Sequence, residues 1–310
     1  MPRFKDLSLG NSIILTNIAR SYSNSELISE KVFPTVEVEK ENAKIPQWDK
    51  SSFRVFNTRR AVNSGGNYIP PGSVSMIPVD LHEEELRSLI DTRENNAAEF
   101  DLQAQRTREA RDGVLLSAEV RCANLIQDPE QYPDSHKISL HSADEKFSSD
   151  RSDPRGVIAD GKRNVRYKIG KIPNTLVMSY NIYSRLKEHP QLRNTFNLGD
   201  INLNRPITQQ IMMEEFEVER VLIGNAVCVD PKTDLFMDVW NDNIALIYQP
   251  EIPNKNVPAF GYTFRLKGYP KVKKYWHDGS RKVMVVEYTD LLSHHIIGPE
   301  AGYLISNTMD

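Results

Sequence analysis

A chain of 310 residues can bury one large core or two modest ones. Its 39% hydrophobic and 26% charged residues describe an ordinary soluble protein on the apolar-poor side. The net charge of −3 argues against a generic nucleic-acid binder, whose domain is strongly basic. No apolar run reaches the roughly 18 residues that a membrane span needs. The start, MPRFKDLSLG, lacks a signal-peptide hydrophobic region, so a soluble, cytoplasmic protein is expected.

Residues 1–50 hold only short apolar pieces, Ser12–Leu15 and Val32–Val36. Such a segment cannot bury enough surface to fold alone, and reads as an arm lying on something else. Residues 53–79 read as an extended hairpin turning at Asn63-Ser64-Gly65-Gly66-Asn67, with Pro70-Pro71-Gly72 in the return arm. Prolines there suit a projecting ribbon rather than a central strand. Residues 83–95 read as a short helix, with Leu86, Leu89 and Ile90 on one face and Glu83, Glu84 and Glu85 at its start, where the macrodipole favours them.

A long helix is predicted from Glu99 to Asp128, ended by Asp128-Pro129. In its second half Leu115, Ala118, Cys122 and Leu125 form one stripe, widened by Leu116, Val120, Ala123 and Ile126. Its first half is polar on most sides and must bridge solvent, lie on a sheet or meet another subunit. Gly113 costs about 1 kcal/mol against Ala in a helix interior.

Residues 130–152 are polar loop. Asp153-Pro154 then opens a helix through Val165, with Asp at the cap and Pro at the first position. Thr175–Met178 is a short buried strand. A helix follows from Asn181 to about Thr195, with Ile182, Leu186 and Leu192 inward. Ile207–Phe216 is helical, Val218–Val229 a strand, and Ile244–Tyr248 a further strand. Ala259–Ile305 reads as three or four antiparallel strands with turns at Gly268-Tyr269-Pro270 and His277-Asp278-Gly279.

Charge is uneven along this order. Residues 80–101 hold eight acids against Arg87 and Arg93, a balance of −6; residues 263–282 hold seven bases against Asp278, a balance of +6. Opposed blocks suit association between copies of one chain. The basic stretch interleaves Tyr269, Tyr275 and Trp276 with lysines, as a single-strand binder does. In an acidic chain, a sheet with a charged outer face and an aromatic inner face is the better reading.

Catalytic and metal chemistry find no foothold. His136, His141, Asp144 and Glu145 match no zinc spacing and read as solvated loop residues. His294 and His295, adjacent on a strand, point to opposite faces and cannot chelate together. His189 falls within or at the end of a helix, where an imidazole favours the C-terminal dipole. Cys122 and Cys228 read as small buried hydrophobes, with a disulfide as the alternative, and neither has the neighbouring base that a nucleophile needs. The sequence contains no G-x-S-x-G, P-loop or G-x-G-x-x-G. No catalytic, cofactor-binding or metal residue is assigned, and no enzyme activity is expected.

The order of elements resembles the major capsid protein of tailed bacteriophages, the Hong Kong ninety-seven type fold that encapsulin shells share. Pro173–Met178 followed by Tyr183–Pro190 is similar to the strand and helix of that fold's axial domain. Asp238-Val239-Trp240, Ala245–Tyr248, Phe260–Phe264 and Gly298–Ile305 are similar to later strands in one branch of the family. The resemblance implies an α+β fold with an arm (1–50), an extended hairpin (51–82), a peripheral domain with a spine helix (83–152), a mixed α/β axial domain (153–258) and closing strands returning to the peripheral domain (259–310).

It further implies a structural protein that assembles as hexamers and pentamers into an icosahedral head around double-stranded DNA, in the host cytoplasm. An encapsulin-like cargo shell is the alternative; a nucleic-acid binder using the basic C-terminal sheet is a weaker one. Partners implied are other copies, a separate scaffold protein, a portal and a decoration protein, with DNA contacted non-specifically and no membrane. Complementary charge suggests that Arg54, Arg59 and Arg60 of the hairpin pair with Glu83, Glu84 and Glu85 of an adjacent copy. Some relatives weld their shells between a hairpin lysine and an asparagine; this chain has no lysine between Lys50 and Lys137, so a noncovalent shell is expected.

Overall fold

The computed structural model describes residues 10–11, 26–47, 59, 75–197, 207–230, 232–254, 259–277 and 280–310. In chain order the first elements are β1 (Gly10–Asn11), α1 (Ser29–Val32), β2 (Thr35–Val38), β3 (Asn42–Gln47) and β4 (Ser75–Asp80). They are followed by β5 (His82–Asp91), α2 (Thr92–Ala97) and α3 (Leu102–Gln127). The middle of the chain holds β6 (Lys137–Ser139), α4 (Pro154–Ile169), β7 (Thr175–Ser179), α5 (Tyr180–Glu188), α6 (Pro190–Asn197) and α7 (Gln209–Glu215). Next come β8 (Arg220–Gly224), β9 (Val227–Val229), β10 (Phe236–Asp238) and β11 (Ile244–Ile247). The chain closes with β12 (Gly261–Leu266), β13 (Lys271–His277), β14 (Ser280–Ile296) and β15 (Gly302–Ser306).

Two larger sheets carry this order. In the first, the 17-residue β14 is the axis: one edge pairs with β13 and then β12, the other with all ten residues of β5. β2 adds to β12 in parallel and β1 to β13. The second sheet runs β6-β15-β11-β7-β8 and is mixed, because β7 pairs antiparallel with β11 and parallel with β8. β7 and β11 are buried along their whole lengths, as a strand covered on both faces must be.

The long helix α3 forms as its sequence dictates. Asp101 caps it by accepting from the Ala104 amide at 3.0 Å, and Asp128-Pro129 ends it. Its polar first half lies on the first sheet: Leu102, Ala110 and Val114 pack with Ile90, Val272, Met284, Val286 and Tyr288. The second half instead packs where the two sheets meet, with Cys122, Ala123 and Ile126 against Phe33, Trp240, Ala245, Phe260 and Leu304. The helix therefore bridges two cores. A third core lies on the other side of the second sheet, where Ile182, Leu186 and Leu192 face inward with Leu176, Met178 and Leu246. A fourth joins Val38, Ile45 and Val79 to Tyr262 and Phe264.

Several expectations need correction. Residues 83–95 begin as a strand, not a helix; only Thr92–Ala97 is helical, capped by the Asp91 side chain. Alternation decides it: Ile90 turns to the buried helix side and Leu89 to the outside, and the ladder to Val283–Leu292 outweighs the helix preference of Glu and Leu. The single helix expected over 181–195 is two, broken at His189-Pro190, and the strand expected over 218–229 is β8 and β9, broken after Gly224. β15 leaves the closing antiparallel group for the second sheet, where it pairs with β11 and β6. The base of the expected hairpin is β3 paired with β4, beginning at residue 42 rather than 53; residues 48–58 and 60–74 lie outside the described residues.

Candidate assembly surfaces

The segment Ile28–Phe33 is seated by buried side chains from distant parts of the chain. Glu119 of α3, with none of its surface exposed, accepts from the Ile28 amide at 3.0 Å, the Ser29 amide at 2.8 Å and the Trp240 indole at 2.8 Å. Gln249 donates to the Val32 carbonyl at 2.8 Å and Thr263 to the Phe33 carbonyl at 2.8 Å. The Phe33 ring stacks on Phe260 and on His294, each at 5.9 Å. It also lies so close over Gly261 that a Cβ there would collide with it. The arm therefore has a fixed root on the body of its own subunit, as its inability to fold alone requires.

His294 sits inside this seat, its Nδ1 2.8 Å from Thr263 Oγ1 and its Nε2 3.2 Å from the Ala118 carbonyl. A neutral ring carries one hydrogen. With the Thr263 hydroxyl committed to Phe33, one ring nitrogen must face an acceptor without a proton, whichever tautomer holds. Protonation would satisfy both nitrogens, but burial, and next the Arg121 charge, hold His294 down to about 4. His295, on the opposite face beside Phe264, is lowered by burial as well. Neighbouring Asp290 is fully buried and paired with Arg265 at 3.1 Å, which also reaches Glu30 of α1 at 3.5 Å; burial raises Asp290 although Arg265 opposes it.

The opposed charge blocks meet within one subunit. β5 and β13 flank β14, and on the outer face Glu287 receives Arg87 Nε at 3.0 Å from one side and Lys273 Nζ at 3.1 Å from the other, with the Tyr275 hydroxyl at 3.0 Å. Burial pushes the Glu287 carboxyl up, but bonds from Lys273 and Tyr275 outweigh it and hold it below the usual range. The expected division into a charged outer and an aromatic inner face fails: Tyr275 lies outward with Lys273, while Lys274 faces the helix and donates to Gln103 at 2.6 Å.

Of the residues expected to pair between copies, Arg54 and Arg60 lie outside the described residues, and Arg59 is exposed. Glu83, Glu84 and Glu85 do not form one cluster, because a strand alternates them. Glu84 turns to the helix and pairs with Arg121 at 3.0 Å; Glu85 turns outward and pairs with Arg87 at 2.7 Å; Glu83 is exposed. His136 is buried rather than solvated, its Nδ1 2.9 Å from Ser135 Oγ and its ring against Tyr303. His189 caps α5 as expected, but deep inside, bonded to Ser152 and the Ser149 carbonyl and lowered by burial. Cys122 is buried and its thiol pushed well up, Cys228 is half-buried, and both are free. Among the described residues no group of three or more His, Cys, Asp and Glu could hold a metal ion, and no helix is long and apolar enough to cross a membrane.

Among the described residues, exposed apolar side chains gather on one ribbon. The ribbon β9–β10 presents Val227, Val229, Leu235, Phe236 and Met237, with Phe236 79% exposed. A monomer gains nothing by showing such a patch to water; a protein that meets other copies does. A rooted N-terminal segment, a hairpin base, a helix bridging two cores and an exposed apolar ribbon are the features of a protein that meets other copies of itself.

No family model matches the chain. It is 39% identical over 298 residues to the major capsid protein of Burkholderia phage BcepMu, covering 94% of this chain and 95% of that one. A solved phage-related protein from Bordetella bronchiseptica RB50 superposes with a TM-score of 0.77 at 28% identity, covering 96% of this chain and 97% of that one. The encapsulin complex from Synechococcus elongatus PCC 7942 superposes with a TM-score of 0.52 at 10% identity over 96% and 95% of the two chains, a likeness of fold alone. This chain belongs to the phage major capsid proteins, structural proteins of the virion.

Proposed function

We propose that copies of this chain close, as hexamers and pentamers, into the icosahedral head of a phage, assembled in the host cytoplasm around a separate scaffold protein and a portal. The observation that carries the reading is the 39% identity to a phage major capsid protein along 94% of the chain. The encapsulin alternative rests on fold alone at 10% identity. Double-stranded DNA fills the head and is contacted without sequence preference, in keeping with a net charge of −3. A decoration protein on the outer surface belongs to the same reading.

In this account the arm, rooted on its own subunit at Ile28–Phe33, and the hairpin over 51–82 extend to neighbouring subunits; β5, α3 and β12–β14 make the peripheral domain, and residues 153–258, joined in the second sheet by β6 and β15, make the axial domain. Hairpin arginines Arg54, Arg59 and Arg60 meet the acids of a neighbour's β5, where Glu83 and Glu85 share the outer face; within the subunit Glu84 is held by Arg121 and Glu85 by Arg87. The reading is tested on particles purified by density gradient from a host producing this phage. It predicts this chain as the most abundant protein of particles that protect DNA from nuclease. Its absence from such particles, or particles holding a cargo enzyme instead of DNA, would refute it.

A further inference from the structure

The Glu119 carboxylate joins by hydrogen bonds two segments that share one apolar core, Ile28–Phe33 and Val239–Trp240. Its Oε1 accepts from the Ile28 amide at 3.0 Å and the Trp240 indole at 2.8 Å; its Oε2 accepts from the Ser29 amide at 2.8 Å. The carboxylate is fully buried, and a charge removed from water must keep its donors. Trp240 in turn closes the base of the exposed ribbon. Its indole lies over Gly224 so closely that a Cβ there would collide, and the preceding Val239 amide donates to the Ala226 carbonyl at 3.0 Å. Asn181 fixes the other ribbon strand through Asp238 at 2.8 Å.

We propose that Glu119 is a latch that couples the docking of the N-terminal segment to the seating of Trp240 and of the ribbon β9–β10. Loss of the indole donor leaves a buried carboxylate short of a partner, so water enters and the Ile28 and Ser29 amides loosen. Loss of the segment leaves the same deficit on the Trp240 side, and the coupling is reciprocal. Gln249 and Thr263 hold the far end of the segment at Val32 and Phe33, so it opens from Ile28. In the shell reading proposed above, on which this meaning rests, the segment beginning at Ile28 belongs to the arm that meets one neighbour, and the ribbon meets another. The latch then makes one contact conditional on the other.

The test uses unassembled full-length subunits and amide hydrogen exchange, so its outcome is independent of shell formation. Trp240→Phe keeps an aromatic ring at the site, smaller than the indole, and removes the indole hydrogen. The latch predicts exchange at Ile28 and Ser29 at least about fivefold faster, with the β7 amides of Leu176–Met178 unchanged as the folding control. Exchange at Ile28 and Ser29 within about twofold of the parent overturns the proposal. If Trp240→Phe also loosens β7, Phe33→Leu decides from the other side. The Trp240 indole hydrogen should then exchange at least about fivefold faster, and an unchanged indole rate overturns the latch.

Discussion

His294 makes the seat of the N-terminal segment acid-sensitive, and the size of the effect can be worked out. Its folded value of about 4 lies below the ordinary 6.5. The unfolded chain therefore takes up a proton on acidification before the native one does, and stability falls as pH drops from 6.5 toward 4. Between pH 8 and pH 5 that difference amounts to about 2 kcal/mol, approaching 1.4 kcal/mol per pH unit in the steep region. His189 and His295, both lowered, act in the same direction. Asp290 acts in the opposite one, because burial raises it and protonation relieves a buried charge. A difference measurement cancels these shared contributions. Urea unfolding of unassembled subunits at half-unit steps from pH 8 to 5, for the parent and for His294→Gln, should show the parent losing about 2 kcal/mol more than the variant. Curves parallel within about 0.5 kcal/mol would refute the assignment.

Other perturbations have clear directions. Phe33→Ala empties a fully buried site stacked on Phe260 and His294, and should cost about 3–5 kcal/mol in denaturant unfolding; a loss under about 1 kcal/mol would mean the ring does not anchor the segment. Gly113→Ala places a Cβ 2.6 Å from the end of the Leu86 side chain, which is half-exposed and can rotate away. Helix propensity should then win by about 0.5–1 kcal/mol, and a fall in midpoint would contradict this. Reversing Arg59 and Arg60 to Glu should lower shell yield, because each exposed pair is worth only about 0–1 kcal/mol but repeats around a shell; Glu83→Arg with Glu85→Arg should restore it, and unchanged yield of the reversed variant would remove the contact from the account. A denaturing gel of assembled shells should show one band at the monomer mass, since the hairpin has no lysine between Lys50 and Lys137; a ladder of linked species would contradict a noncovalent shell.

Elements marked by strong local chemistry were legible. The Asp153 cap, the Pro129 stop and the inward face of Ile182, Leu186 and Leu192 appear where the sequence puts them, while the long helix starts at Leu102, behind an Asp101 cap, rather than at Glu99. Pairing overrode local preference elsewhere: Glu83–Leu86 looks helical until ten residues of β14 are laid beside it. Periodicity marks the buried side of α3 but not what buries it: the polar first half lies on the first sheet, one of the options its sequence leaves open, and the second packs where the two sheets meet. Glu119, Gln249 and Thr263, which seat the N-terminal segment, carry no motif. Their importance comes from contacts 91 to 230 residues away in sequence. A single acid between Ala118 and Val120, in the apolar half of a helix, was the one available signal.

The most direct measurement of the central claim is electron microscopy of the purified chain, produced alone and together with the scaffold protein of the same phage. The account predicts closed icosahedral particles with six-fold and five-fold capsomers in at least the second preparation. Monomers or open sheets in both would contradict it.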